Sequence, residues 1–417
     1  MKANIIAIGD ELLIGQTVNT NAVYISQKLT SEQIRVQGSL IIPDEKEIII
    51  SEIQKSMDKY DLTIMTGGLG PTHDDVTKKA IVECFNTELI INKNALEHIK
   101  ELFASRGRKI TKVNEEQALL PANAEPISNI VGTAPGIWIN NNGKILIAMP
   151  GVPFEMKEMF SKIVIPKLHE LNIEKEKVLR IKTLLTTGIP ESTLYELLGK
   201  INELPIAKIA YLPNQFGVKI RITTEGFSEN DAEERLMVVE QKIRSIAGRF
   251  IYGTNEQNLE EIVGRLLVDR QLKIAVAESC TGGLVANRLT NISGSSEYFE
   301  RAIISYSNGS KVEELGVDED MLEKYGAVSL QVAQQMAEGV RATSGTDIGI
   351  ATTGIMGPTG ATPNKPVGLV YIGYCDEKIC TARQFKFSGD RLLNKDRTSQ
   401  AALEMIRRNI LGISYDD

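Results

Sequence analysis

Leu272-Lys-Ile-Ala-Val-Ala-Glu-Ser-Cys-Thr-Gly-Gly283 is the stretch on which the reading of this chain turns. The apolar run 272–277 predicts a buried strand, and residues 284–289 have helical spacing. Between them a hydroxyl, a thiol and two glycines sit at a strand-to-helix turn. Backbone amides at such a turn can face an anion, and a side-chain oxygen can stand at the strand's carboxyl end. The plainer alternative is a helix cap. Downstream, Tyr306-Ser-Asn-Gly-Ser-Lys311 adds a phenol and a lysine.

The histidine count restricts the chemistry. The only histidines are His73, His98 and His169. No histidine base is available to Ser279 or Cys280 from their own half of the chain, so a nucleophile there needs Lys, Glu, Asp or Tyr to activate it.

The sequence has 417 residues, 42% apolar and 24% charged, enough for two or three globular domains. A net charge of -7 offers no basic face and argues against nucleic acid as a partner. No apolar run is long enough for a membrane span, and no signal-peptide pattern opens the chain. Cysteines 84, 280, 375 and 380 are too few for a disulfide framework and fit a reducing cytoplasm. Cys375 and Cys380 lie in strand-like sequence with no histidine after them, which argues against zinc.

From the amino end, strands at 3–8, 34–42 and 61–66 alternate with helices from 19 and 45, predicting βαβ units and a mostly parallel sheet. Two glycine-rich loops follow the first and third strands: Gly9-Asp-Glu-Leu-Leu-Ile-Gly15 and Gly67-Gly-Leu-Gly-Pro-Thr-His-Asp-Asp75. Both should lie on the ligand-binding edge. Thr66, Gly67, Gly68 and Gly70 let backbone approach phosphate oxygens, while Asp10, Glu11, Asp74 and Asp75 can hold a hard divalent cation. The alternative for the last two is a favourable helix first turn. Gly151, in a Pro-Gly turn after the strand at 145–149, is placed to close the same pocket. Residues 172–252 read as a small α+β unit of KH type without the Gly-x-x-Gly clamp for nucleic acid; scaffold or dimerisation suits it better. Residues 253–417 form another α/β layer, in which the long loop 354–368 has the length of a functional loop.

Several of these motifs, in this order, resemble known families. Gly9-Asp-Glu-Leu-Leu, Asn19-Thr-Asn21 and Thr66-Gly-Gly-Leu-Gly-Pro-Thr-x-Asp-Asp75 resemble the molybdopterin-binding (MogA/MoeA-like) domain. Glu278-Ser-Cys-Thr-Gly-Gly283, Tyr306-Ser-Asn308, Lys311, Gly326-Ala-Val-Ser329, Thr353-Gly-Ile355, Gly357-Pro358 and Lys365-Pro-Val-Gly368 resemble the nicotinamide-nucleotide amidase (PncC) domain. Together with the KH-like insert, the whole chain resembles the competence/damage-inducible CinA family. Met356 and Ala361 stand where that family usually has a small residue and a glycine.

The resemblance implies an α/β fold with two separate layered domains, 1–171 and 253–417, joined by the α+β unit 172–252. It implies two activities of pyridine-nucleotide salvage: deamidation of nicotinamide mononucleotide by the C-terminal domain, and metal-dependent ADP-ribose pyrophosphatase activity of the N-terminal one. Ser279 would be the nucleophile, Lys311 its base and Tyr306 an orienting or relaying group; Cys280 is the rival nucleophile. Thr281, Gly282 and Gly283 would supply amides to the oxyanion or phosphate. Asn308, Gly354, Gly357, Lys365 and Gly368 would line the substrate. The N-terminal site would need a divalent metal ion (magnesium, manganese or cobalt) and the amidase none. A cytoplasmic homodimer without membrane or nucleic-acid partners is expected. A regulatory or scaffold protein that binds nucleotide or molybdopterin without turnover is the alternative from another class, and a molybdenum-cofactor enzyme a third.

Overall fold

The computed structural model describes residues 1–417 except 71–74, 106, 108, 172–176 and 416–417. Two compact units divide the chain, residues 1–176 and 177–417.

The first unit is built on a six-stranded sheet in the order Arg35–Ile42, Lys2–Ile8, Leu62–Thr66, Lys144–Met149, Gly136–Asn141, Glu125–Ile127. The first four strands run parallel, Gly136–Asn141 pairs antiparallel to Lys144–Met149, and Glu125–Ile127 pairs antiparallel to Gly136–Asn141. Side chains of a strand alternate faces. Ala3 and Ile5 therefore enter one core with helix Thr20–Ser31 and the 153–170 helical segment, while Ile6 and Ile8 enter the other with helices Lys46–Lys59 and Thr77–Cys84. Covering both faces is what buries the three inner parallel strands, Lys2–Ile8, Leu62–Thr66 and Lys144–Met149, almost throughout, while the edge strand Arg35–Ile42 alternates. The carboxyl ends of the four parallel strands bring Asp10, Asp44, Gly67 and Gly151 to one edge.

The second unit carries two sheets. An antiparallel one runs Ala207–Asn214, Gly217–Gly226, Val178–Thr186, Ile251–Thr254 and is backed by helices Glu229–Ala247 and Glu191–Leu198. The other has the order Phe299–Ile304, Ile274–Glu278, Ile348–Gly354, Leu369–Cys375, Cys380–Lys386, its first three strands parallel. Ile274 and Val276 pack under helices Leu259–Asp269 and Arg391–Leu411, and Ala275 and Ala277 under helix Leu330–Ser344.

One pairing was not among the sequence expectations. Cys375 and Cys380 are joined as a disulfide, and the free cysteines are Cys84 and Cys280. The two half-cystines fall directly opposite each other at the neck of the hairpin closed by Asp376 and Ile379. Placing each in a strand left their register undetermined, and the register makes the pair. Among the described residues no helix is long and apolar enough to cross a membrane.

Candidate active site

Ser279 continues the Ile274–Glu278 strand by one residue, its amide donating to the Thr352 carbonyl at 3.0 Å, and the chain then turns sharply into helix Leu284–Thr290. Glu278 locks that turn. Its fully buried carboxylate accepts from the amides of Gly283 (2.9 Å), Val285 (3.2 Å) and Ala286 (2.8 Å). An anion is therefore already seated at this helix start, the charge its dipole favours. The expectation that Gly283 offers its amide to substrate is corrected: that donor is taken by Glu278. The amides of Thr281 and Gly282 meet no acceptor among the described residues. Thr281 is held by its hydroxyl, 2.6 Å from that of Thr352.

Lys311 comes from the next parallel crossover. Ser307 caps helix Asn308–Leu315, accepting from the Ser310 amide and closing a box with the Ser310 hydroxyl. Helical side chains lean toward the amino end. Lys311, in the first turn, thus folds back to reach the carbonyls of Ser305 (2.7 Å), Tyr306 (3.3 Å) and Ser307 (3.4 Å), with its Nζ 3.2 Å from Ser279 Oγ. Lys311 is only 1% exposed and Ser279 9%. Burial pushes the lysine below its ordinary value, since desolvation disfavours the charged form. A neutral amine can give its hydrogens to the carbonyls and turn its lone pair to the Ser279 hydroxyl.

Cys280 has the opposite environment. It is buried beside Thr352, and burial pushes its thiol up to about 12. A thiol kept protonated is a poor nucleophile.

The phenol of Tyr306 does not meet Lys311. It is 64% exposed and accepts from Arg391 at 3.1 Å; only the Tyr306 carbonyl touches the lysine. The reason is local: the side chain leaves the strand end outward while the carbonyl points back under the helix start. Asn308 is the exposed first residue of its helix. Lys365 reaches back to the Tyr325 carbonyl at 2.6 Å and pins the 354–368 loop to the turn before Ser329. Thr353 pins the same turn through the Ala327 carbonyl. Gly354 ends its strand, Gly357 precedes a cis proline, and Gly368 packs so closely on the Phe387 carbonyl that a Cβ would lie 1.9 Å from it.

The residues missed from sequence are Arg391 and Lys395. Arg391 donates to the Gly357 carbonyl at 2.9 Å as well as to Tyr306, and a Cβ on Gly282 would lie 3.5 Å from Lys395 Nζ. Their helix, Arg391–Leu411, is capped by Asp390, which accepts from the Leu393 amide at 2.9 Å, and nothing local in its sequence marks either cation as facing the site.

At the N-terminal edge, Gly67 and Gly68 shape a packed corner. Gly67 has φ 110, and a Cβ there would strike the Ile8 carbonyl at 2.2 Å; Gly68 lies equally close to Thr77, whose hydroxyl donates to the Gly67 carbonyl. Gly151 sits against the Gly67 Cα and accepts from Asn21 through its carbonyl. Thr66 is buried at the strand end, and a Cβ on Gly70 would run into the Asp75 carboxylate. Asp44 joins these residues: it accepts from the Asp10 amide at 3.2 Å, and burial together with the charges of Asp10, Glu11 and Asp75 pushes its carboxyl up. Asp74 and His73 lie outside the described residues. Among the described residues no three of His, Cys, Asp and Glu converge as a ligand set for a metal ion, so no chemical step is routed through one below.

Fold and site together define an α/β protein with a glycine-loop edge in one unit and a buried serine–lysine pair in the other. Residues 4–170 match the family described as probable molybdopterin binding domain, 181–253 the damage-inducible protein CinA KH domain and 256–410 the CinA C-terminal domain. The chain is 45% identical over 413 residues to a competence-damage inducible protein homologue from Caldicellulosiruptor saccharolyticus, covering 99% of this chain and 100% of the relative. It is 43% identical over 417 residues to a CinA-like protein from Chloroherpeton thalassium, covering 98% and 99%. A crystal structure of the protein CinA with unknown function from Thermoplasma acidophilum is 35% identical, covers 42% of this chain and 98% of its own, and has a TM-score of 0.37. This chain belongs to the CinA family of competence-damage inducible proteins.

Proposed function

We propose that the C-terminal site hydrolyses the carboxamide of nicotinamide mononucleotide to nicotinate mononucleotide and ammonia. The observation that carries this reading is the buried Lys311 amine 3.2 Å from the Ser279 hydroxyl, with no histidine in the second unit. Ser279 Oγ attacks the amide carbon and its proton passes to Lys311 Nζ. The free amides of Thr281 and Gly282 face the developing oxyanion. Lys311 returns the proton to the amine, which leaves as ammonia. A water that gives its proton to the same lysine then attacks the acyl ester, and Lys311 passes that proton to the departing Ser279 Oγ as the carboxylate is released. Arg391 and Lys395 receive the 5′-phosphate, in place of the helix start already filled by Glu278. Ammonia release by wild type, lost in Ser279→Ala and Lys311→Met while both variants keep the wild-type circular dichroism, is the test. Turnover surviving in Ser279→Ala overturns the reading.

We infer for the N-terminal edge a nucleoside-diphosphate pyrophosphatase site for ADP-ribose that needs a divalent cation (magnesium, manganese or cobalt). Support comes from Asp44 at the carboxyl edge of the parallel strands, whose carboxyl is pushed up by burial and then by the charges of Asp10, Glu11 and Asp75. A homodimer in the cytoplasm is part of the same proposal.

A further inference from the structure

Helix Leu284–Thr290, which leads away from the nucleophile turn, packs along helix Arg391–Leu411, which carries the two cations proposed to receive the phosphate. Two contacts fix the pair, one near each end. At the turn, a Cβ on Gly282 would lie 3.5 Å from Lys395 Nζ. Further along both helices stands Arg288. Its guanidinium donates to the Ser399 hydroxyl at 2.9 Å and to the Gln400 side-chain oxygen at 2.8 Å, and it pairs with Glu260 of helix Leu259–Asp269 at 2.6 Å. Arg391, Lys395 and Ser399 recur at every fourth residue and so share one face of their helix.

The Arg288 side chain is 11% exposed, and Ser399 and Gln400 are buried. A planar guanidinium meets three such acceptors together in one register only, because a slip of one residue moves a helical side chain about 1.5 Å along the axis and turns it by about 100°. A second brace comes from the antiparallel sheet of the same unit. Phe216, at the turn between strands Ala207–Asn214 and Gly217–Gly226, has its ring centre 5.1 Å from the guanidinium carbon of Arg288. Thr187 ties the same end: its hydroxyl donates to the Phe216 carbonyl at 3.1 Å and accepts from Gln400 Nε2 at 3.4 Å.

We propose that Arg288 is a positioning residue for the deamidation. It sets the register of helix Arg391–Leu411 against the nucleophile turn, and with it the reach from the phosphate-binding cations to Ser279. The inference rests on reading Arg391 and Lys395 as the phosphate site. A brace that only stabilised the fold would affect all ligands alike, whereas a register clamp matters to a ligand that must reach both ends of the site.

The test is calorimetric binding of nicotinamide mononucleotide and of nicotinamide riboside to the full-length Ser279→Ala protein, in which no turnover intervenes. Adding Arg288→Met is expected to weaken the mononucleotide about tenfold and the riboside by less than about twofold. Phe216→Ala removes the ring from an outer hairpin and leaves Arg288 in place; it is expected to weaken the mononucleotide about threefold and to leave the riboside unmoved. The proposal is overturned by equal weakening of both ligands, by unmoved mononucleotide affinity in Arg288→Met, or by the same result in Phe216→Ala where Arg288→Met does not fold. Mononucleotide binding that Arg391→Ala weakens and Arg288→Met does not keeps the phosphate reading and overturns the clamp. A parent protein that binds the two ligands equally overturns both. The expected separation, in a wild type that releases no ammonia, supports the clamp and overturns the deamidation reading.

Discussion

Lys311 places its Nζ 3.2 Å from Ser279 Oγ across 32 residues of sequence, because two adjacent parallel strands end side by side and each hands the chain to a helix. The serine stands at the end of one strand. The lysine folds back from the first turn after the other.

Ser279→Ala should lose roughly a thousandfold or more of the amidase rate. Cys280→Ala should stay within about tenfold of wild type, since a thiol held near 12 contributes no nucleophile at neutral pH. Steady-state ammonia assays on both variants check this. The reverse ranking would move the nucleophile to Cys280.

The pH profile follows from the direction of the Lys311 shift. Burial lowers its folded value below 10.5, so the neutral base is populated at lower pH than for a free lysine. The amidase kcat/KM should rise with pH through that lowered value and then level off. The unfolded chain holds the proton up to 10.5, so wild-type stability should also gain on Lys311→Met as pH rises through the same window. A flat rate profile from pH 6 to 10 would remove Lys311 as the base.

How much of this the sequence made legible depends on the distance over which each signal acts. The 272–283 stretch declared its strand, turn and helix because every cue was local. Glu278 looked like one more motif residue; its grip on three amides of the following helix needs the sharpness of the turn, which no periodicity encodes. Asp44 stands two residues beyond a correctly expected strand, yet joins Asp10 only when the strands lie in register. The Cys375–Cys380 pair failed for the same reason. Arg391 and Lys395 come from the far end of the chain, on a helix that opens on an ordinary Asp390 cap, so nothing local points from them to the site.

Those two cations give a prediction. Arg391→Ala and Lys395→Ala should each raise KM for nicotinamide mononucleotide about 10-fold to 100-fold with a smaller change in kcat. The same variants should leave nicotinamide riboside, which lacks the phosphate, nearly unaffected. Equal losses on both substrates would assign the two cations to holding the Gly357 loop instead.

Chelation separates the two proposed activities. Removing divalent cations should abolish ADP-ribose hydrolysis and leave ammonia release within about twofold, because the serine–lysine steps pass through no metal. Asp75→Asn should reproduce the first loss without the second. Loss of ammonia release on chelation, restored by magnesium, would refute the metal-free amidase.

Lys78 offers a measurement on the first unit alone. It is 8% exposed, donates to the Gln117 carbonyl at 2.8 Å, and burial pushes it from its ordinary 10.5 down to about 8, against the pull of Asp75. The unfolded chain keeps this proton up to about 10.5, whereas the folded one gives it up near 8. Between those values the unfolded state binds more protons, so stability rises with pH. Wild type should therefore gain on Lys78→Met by an amount on the order of 3 kcal/mol between pH 8 and 10.5, with a constant gap below pH 8. Trp138 is the chain's single tryptophan and is buried in this unit, so urea unfolding followed by its fluorescence reports the right domain. A gap that stays flat up to pH 10.5 would mean that the lysine keeps its proton in the fold. The burial cost would then be met by hydrogen bonds and by Asp75.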